Sequence, residues 1–219
     1  MFNSQRYIDQ YLAYAEGITR YFRFKSEEKK INTVVDILFT AWLSNTPVFP
    51  LGNGGSESTA KHFAADLAKT VNDKPGHRGL RAYTPWDNDP LISAIVNDRP
   101  KEDIFTAWLD TYYQRGGIGI GISVHGGSGS DVGGKWSQNL LKGLQYIKDR
   151  GGKTIGFSGF DGGPMKDLVD VCLVVPVADP EFGTPLVESF HVVLHHLVVF
   201  TLKGLIAEEE EKSFDNGVH

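Results

Sequence analysis

Six ionisable side chains of this 219-residue chain fall at spacings that suit joint chemistry. His62 and Asp66 stand four apart in a helical pattern, so both project from one face. A histidine and a carboxylate so placed suit proton transfer or a divalent metal. Glu188, His191, His195 and His196 interrupt the otherwise apolar pattern of residues 185–205. Polar groups on an apolar surface are costly unless each finds a partner. The residues alone leave two accounts open: satisfied polar groups of a core or subunit interface, or a set of acids, bases and ligands. Glu188, His191 and His195 form the straighter stripe at i, i+3 and i+7, so either His195 or His196 can complete such a site, depending on helix rotation.

Two glycine loops accompany these groups. Gly52-Asn53-Gly54-Gly55-Ser56 follows the short apolar run 48–51 and opens a helical pattern over residues 57–70. Consecutive backbone N–H groups of such a loop can converge on an anion, and the following helix N-terminus adds partial positive charge. The second loop, His125-Gly126-Gly127-Ser128-Gly129-Ser130, ends another apolar run just after Ser123 and offers hydroxyl donors to phosphate oxygens. Together the loops favour a phosphorylated ligand. Neither has the G-x-G-x-x-G or G-K-[ST] spacing, which argues against NAD and ATP.

The elements that must position these groups follow from periodicity. Apolar residues at helical spacing predict two amphipathic helices over 4–24 and 26–44, with Ser26, Glu27 and Glu28 at the start of the second. Strands are expected at 48–51, 118–124, 154–157 and 171–176. Ile118-Gly119-Ile120-Gly121-Ile122 reads as a buried strand whose glycines admit a neighbouring element. Helical patterns follow the two loops, and a last helix is expected over 185–205. Strands alternating with helices imply a parallel α/β sheet with ligands at the strand ends. Residues 1–206 read as one domain and the acidic stretch 207–219 as a disordered tail.

Composition narrows the function. A formal net charge of −5 gives no long-range attraction for nucleic acid, so no nucleic-acid partner is expected. The one cysteine, Cys172, lies in an apolar run and reads as a small core residue, which excludes an intrachain disulfide. The first residues lack a leader pattern and the apolar run 192–200 is too short for a bilayer, so no membrane association and a cytoplasmic location are expected.

Gly52 to Ser56, followed by His62-Phe63-Ala64-Ala65-Asp66-Leu67, resembles the phosphoheptose isomerase family of sugar isomerase (SIS) domains. The resemblance continues through Val96-Asn97-Asp98, Gly121-Ile122-Ser123, Thr154 to Gly159 with Asp161-Gly162-Gly163, and Glu188-x-x-His191-x-x-x-x-His196, nearly the whole chain. It implies a three-layer αβα sandwich with a parallel five-stranded sheet and two N-terminal helices, assembled as a homotetramer with active sites between subunits. It also implies conversion of sedoheptulose 7-phosphate to a heptose 7-phosphate for lipopolysaccharide through an enediol. On this resemblance Asp66 is the base and His196 its partner. One zinc ion per subunit is implied among His62, Asp66, Glu188 and His196. Substrate contacts are implied for Asn53, Gly54, Gly55, Ser56, Asn97, Asp98, Ser123, His125, Ser128 and Glu188.

The chain departs from the family in four places. Asp66 stands where glutamate is usual, Glu188 where glutamine is usual, and Leu186 where an arginine is expected. Ser123-Val124-His125-Gly126-Gly127 replaces a loop richer in hydroxyls. An isomerase for another phosphorylated ketose and a non-catalytic SIS protein that binds sugar phosphate are the remaining readings. The second has no need of an acid and base on facing helices.

Overall fold

The structure, a computed structural model, describes residues 4–127 and 136–215. Two amphipathic helices, α1 (Ser4–Tyr21) and α2 (Lys25–Leu43), lead into β1 (Val48–Gly52) and α3 (Gly55–Ala65). After α4 (Asp89–Asp98) and α5 (Ile104–Tyr112) come β2 (Ile118–Ile122), α6 (Gln138–Asp149), β3 (Thr154–Gly159), α7 (Gly163–Leu168), β4 (Val171–Val175) and α8 (Gly183–Asp215). Phe24 precedes α2 as its cap residue, and Ser26, expected there, turns its hydroxyl to Glu27 instead.

The strands pair in parallel in the order β1-β2-β3-β4. The implied fifth strand is not found among the described residues. Its place beside β1 is held by one bridge between Val48 and Ala82, with Val48 N–H donating to Arg81 and Tyr83 N–H to Val48. Pro75, Gly76 and Gly79 interrupt the segment before the bridge, and neither residue type sustains a strand interior.

Every residue of β2 is buried, and its alternation sets the two faces. Ile118, Ile120 and Ile122 join the core beneath α2, α3 and α8, whereas Gly119 and Gly121 face α6. A β-carbon at Gly121 would lie 2.6 Å from Leu144 Cδ1, so α6 can approach the sheet only over glycine. Phe49, Leu51, Cys172 and Val174 pack into the second core with α5, α6 and α7. The result is a sheet between two helical layers, which puts the β1 and β2 loops at one sheet end.

The final helix differs most from expectation. It runs to Asp215 and so continues through residues 207–215 of the acidic stretch. Glu210 explains the continuation: Asn72 Nδ2 donates to it at 2.7 Å, His77 Nδ1 lies 2.8 Å away and Lys74 Nζ 3.6 Å away. Among the described residues α8 is the one helix long and apolar enough to cross a membrane by length and composition. It is a core helix nonetheless, with Val187, Leu194, Val198, Val199 and Leu202 buried in the core that α2 shares.

Candidate active site and metal centre

The first glycine loop carries the chain from the end of β1 to α3. Gly54 sits there at φ +57°, a value a residue with a side chain rarely adopts. Asn53 and Asn139 exchange amide hydrogen bonds of 3.0 Å each way, tying this loop to the start of α6. A pocket of about 330 Å³ opens over the loop. Its walls bring together seven of the expected contacts, Asn53, Gly54, Gly55, Ser56, Ser123, His125 and, from α8, Glu188. Trp136, Ser137 and Thr184 also line it.

Two expected contacts lie elsewhere. Asn97 and Asp98 are exposed at the end of α4, hydrogen-bonded to each other, and line no part of this pocket. Ser128 falls outside the described residues.

Farther along α3 the helix widens. Residues Asp66–Thr70 form a π-helical turn in which Val71 N–H reaches back to the Asp66 carbonyl. Such turns are rare and concentrate at functional sites. The opened turn leaves the Leu67 carbonyl to accept from Leu80 N–H at 2.8 Å. Asp66, its own N–H still bonded back to the His62 carbonyl of α3, meets α8 at the start of this turn. Its Oδ2 lies 3.5 Å from His62 Nε2, 3.3 Å from His195 Nε2 and 3.5 Å from His196 Nε2. Its Oδ1 accepts a 2.8 Å hydrogen bond from the Thr70 hydroxyl.

The donor atoms of these four residues lie within 4.8 Å of one another. Bonds of about 2.0–2.1 Å to nitrogen and oxygen around a tetrahedral ion put ligand atoms about 3.3–3.4 Å apart. The carboxylate-to-imidazole distances match that edge, and three nitrogens with one oxygen suit zinc. The cluster contains three of the four implied ligands, His62, Asp66 and His196. Glu188 is not in the cluster, because its carboxylate packs on the glycine loop: a β-carbon at Gly55 would lie 2.3 Å from Glu188 Oε1. His195 stands beside these three as the fourth side chain of the cluster.

His195 is fully buried, its ring stacked on Phe63 with centroids 5.2 Å apart, while His62 and His196 are 49% and 41% exposed, so the cluster opens to solvent on their side. Burial, then the neighbouring His196 and His62, push the His195 imidazole down to about 4, against the pull of Asp66. It is thus neutral at pH 7, the form that ligates a metal. His191 is buried without a hydrogen-bond partner for either ring nitrogen, and burial holds it down to about 4 as well.

A glycine-loop pocket beside a histidine–carboxylate cluster, on a parallel α/β sandwich, defines the class of sugar-phosphate isomerases of SIS type. No protein-family model matches the chain. It is 31% identical over 189 residues to a phosphoheptose isomerase of Helicobacter pylori, spanning 86% of this chain and 90% of that one. The chain belongs to the phosphoheptose isomerase family. It is also 39% identical over 160 residues to the lincomycin biosynthesis protein LmbN of Streptomyces lincolnensis, but spans only 57% of that protein's length. Among solved structures, a phosphoheptose isomerase from Francisella tularensis superposes with a TM-score of 0.79 at 18% identity, over 93% of this chain and all of that one.

Proposed function

We propose that the chain is an aldose–ketose isomerase that converts sedoheptulose 7-phosphate to D-glycero-D-manno-heptose 7-phosphate. One observation carries the length of the substrate. Gly55 touches Glu188 and His62 touches His195, the same seven-residue step on α3 and on α8. The two helices thus run side by side from the glycine loop to the cluster, about 10 Å at 1.5 Å per residue. An extended chain from C1 of a heptose to its 7-phosphorus has eight single bonds of about 1.5 Å, roughly 10 Å end to end. With the phosphate on Gly54, Gly55, Ser56, Ser123 and His125, the carbonyl end reaches the cluster.

There the residues divide the work. His62, Asp66, His195 and His196 would hold one zinc ion per subunit, which supplies a positive charge that polarises a carbonyl and stabilises the charge of an enediolate. Asp66 is the carboxylate at the reacting end; with Oδ2 directed at the three histidines, Oδ1, which the Thr70 hydroxyl orients, takes the carbon-bound proton. His196, partly exposed beside it, keeps one ring N–H when its other nitrogen ligates the metal, and that N–H donates to a substrate oxygen. Glu188, next to the phosphate loop, accepts hydrogen bonds from hydroxyls of the chain between.

Apolar side chains left exposed on α1 (Ile8, Leu12) and on α8 (Val193, Leu197, Phe200) support self-association into a homotetramer. The α8 face adjoins His196, in keeping with a reacting end beside a subunit boundary. A cytoplasmic enzyme supplying heptose for lipopolysaccharide fits this reading.

A second reading, an isomerase of another phosphorylated ketose, draws on a neighbouring cleft of about 830 Å³. That cleft shares Asn53, Trp136 and Ser137 with the loop pocket and adds Lys101 and Lys142. The test is isomerisation followed by NMR, with sedoheptulose 7-phosphate and with shorter and longer ketose phosphates. Heptose 7-phosphate formed by the wild type and lost in Asp66→Asn is expected; turnover of only another ketose would replace the proposal with the second reading.

A further inference from the structure

Phe160 is a bulky residue at φ +55°, in the left-handed region that strains any residue with a branched or aromatic side chain. Strain of this kind persists only where the surroundings over-determine it, and the contacts around Phe160 show what does so. Gly159 N–H donates to the Val124 carbonyl and Gly162 N–H to the Gly159 carbonyl, both at 2.9 Å, which pins the turn after β3 to the loop after β2. The Phe160 ring lies flat on the His125 imidazole, with centroids 4.7 Å apart and 16° between planes. A β-carbon at Gly183 would lie 2.5 Å from Phe160 Cζ, so the first residue of α8 is one that leaves room for the ring. Trp136 approaches the same imidazole edge-on at 6.2 Å.

His125 itself stands in a run of glycine and lines the phosphate pocket. Its imidazole makes no hydrogen bond or ion pair with the described side chains, so the two aromatic contacts are what orient it.

We infer that Phe160 is a positioning residue that holds the His125 imidazole against the phosphate pocket, where a ring N–H donates to the phosphoryl group. This deepens the proposed reaction and rests on its phosphate-ester substrate. The left-handed turn aims the ring at His125, and without the ring the histidine of a glycine loop samples many directions. The strain at Phe160 thus goes into pre-organising a donor, where core packing alone would leave phosphate affinity indifferent to it.

The experiment compares wild type, Phe160→Leu, Phe160→Gly, Phe160→Tyr and His125→Ala, with each Phe160 variant also made in the His125→Ala background, and KM and kcat read for the ketose phosphate. In parallel, inorganic phosphate is titrated by ³¹P NMR, which reports on the pocket without turnover. Phe160→Leu and Phe160→Gly are expected to weaken phosphate binding and raise KM by about 3- to 10-fold, the range of one aromatic pair, with a smaller change in kcat. Glycine adopts the positive φ freely, so the Gly variant keeps its fold if the Leu variant does not. Tyr retains binding, and in the His125→Ala background neither Phe160 variant weakens it further. Unchanged KM and phosphate affinity in Phe160→Gly, or a full-sized effect that survives His125→Ala, would overturn the inference. A wild type that binds phosphate through His125 and Phe160 yet turns over no ketose phosphate would sink the proposed reaction and leave the inference standing.

Discussion

His191 offers a quantitative test of how α8 is buried. The residue is fully enclosed, neither ring nitrogen makes a well-formed hydrogen bond, and burial lowers it from the ordinary 6.5 to about 4, against the pull of the Ser158 backbone. The unfolded chain takes up its proton near pH 6.5, whereas the folded chain resists until about 4. Native stability at this site is therefore complete above pH 6.5 and lost as pH falls toward 4. A tenfold change in proton affinity is worth about 1.4 kcal/mol, so roughly 3 kcal/mol disappears across the window. The perturbation is His191→Leu, which cannot titrate. Urea midpoints by circular dichroism at about pH 7 and pH 4.5, at one fixed protein concentration, report the difference. The variant should gain on the wild type by about 2–3 kcal/mol between the two pH values. Parallel loss of stability in both proteins would refute the reasoning, because it would mean that His191 protonates in the folded state as it does in the unfolded one.

Metal content separates the two candidate ligand sets. Elemental analysis should find about one zinc per chain in the wild type, the number a four-ligand site implies, and less in His195→Gln or Asp66→Asn. Glu188→Gln should keep its zinc, and loss of metal in that variant would return Glu188 to the ligand set. Cys172 is a third case. Burial pushes its thiol up to about 11, with the Ser158 hydroxyl beside it at 3.3 Å opposing. A thiol reagent at about pH 8 should therefore label it only after urea unfolding, and rapid labelling of the native protein would contradict its place in the core.

The layered sheet was legible because its signals are local. The isoleucine–glycine alternation of β2 stands opposite α6 as its spacing implies, and the glycine loop after β1 lines a pocket with the residues its composition suggested. The single bridge that stands in place of a fifth strand was not legible, since the pairing at Ala82 is decided by two hydrogen bonds to Val48 and not by a pattern in residues 74–83. Nor was the end of α8: four consecutive glutamates look like a solvated tail until Asn72, Lys74 and His77 are brought to Glu210 by the fold. Helices α4 and α5 went unread for a similar reason, their short apolar patterns lying between proline and glycine punctuation. Phe160 carried no readable signal, because a left-handed aromatic residue is fixed by its neighbours and not by its own preference.

The choice between His195 and His196 shows why a site can be half visible in a sequence. Adjacent residues on a helix project about 100° apart, so a reading by helical face must give one of them to the core and the other to the site. His195 does go to the core, stacked on Phe63 and fully buried. Asp66, however, lies between the two directions, 3.3 Å from one imidazole and 3.5 Å from the other. It stands at the start of the π-helical turn, which is invisible to a 3.6-residue period. A shorter acid at this position, a second histidine on α8 and a Glu188 turned away to the glycine loop are then consistent with one another. Asp66 sits between the helices, His195 meets it from the buried side, and the four side chains of the cluster come together without Glu188.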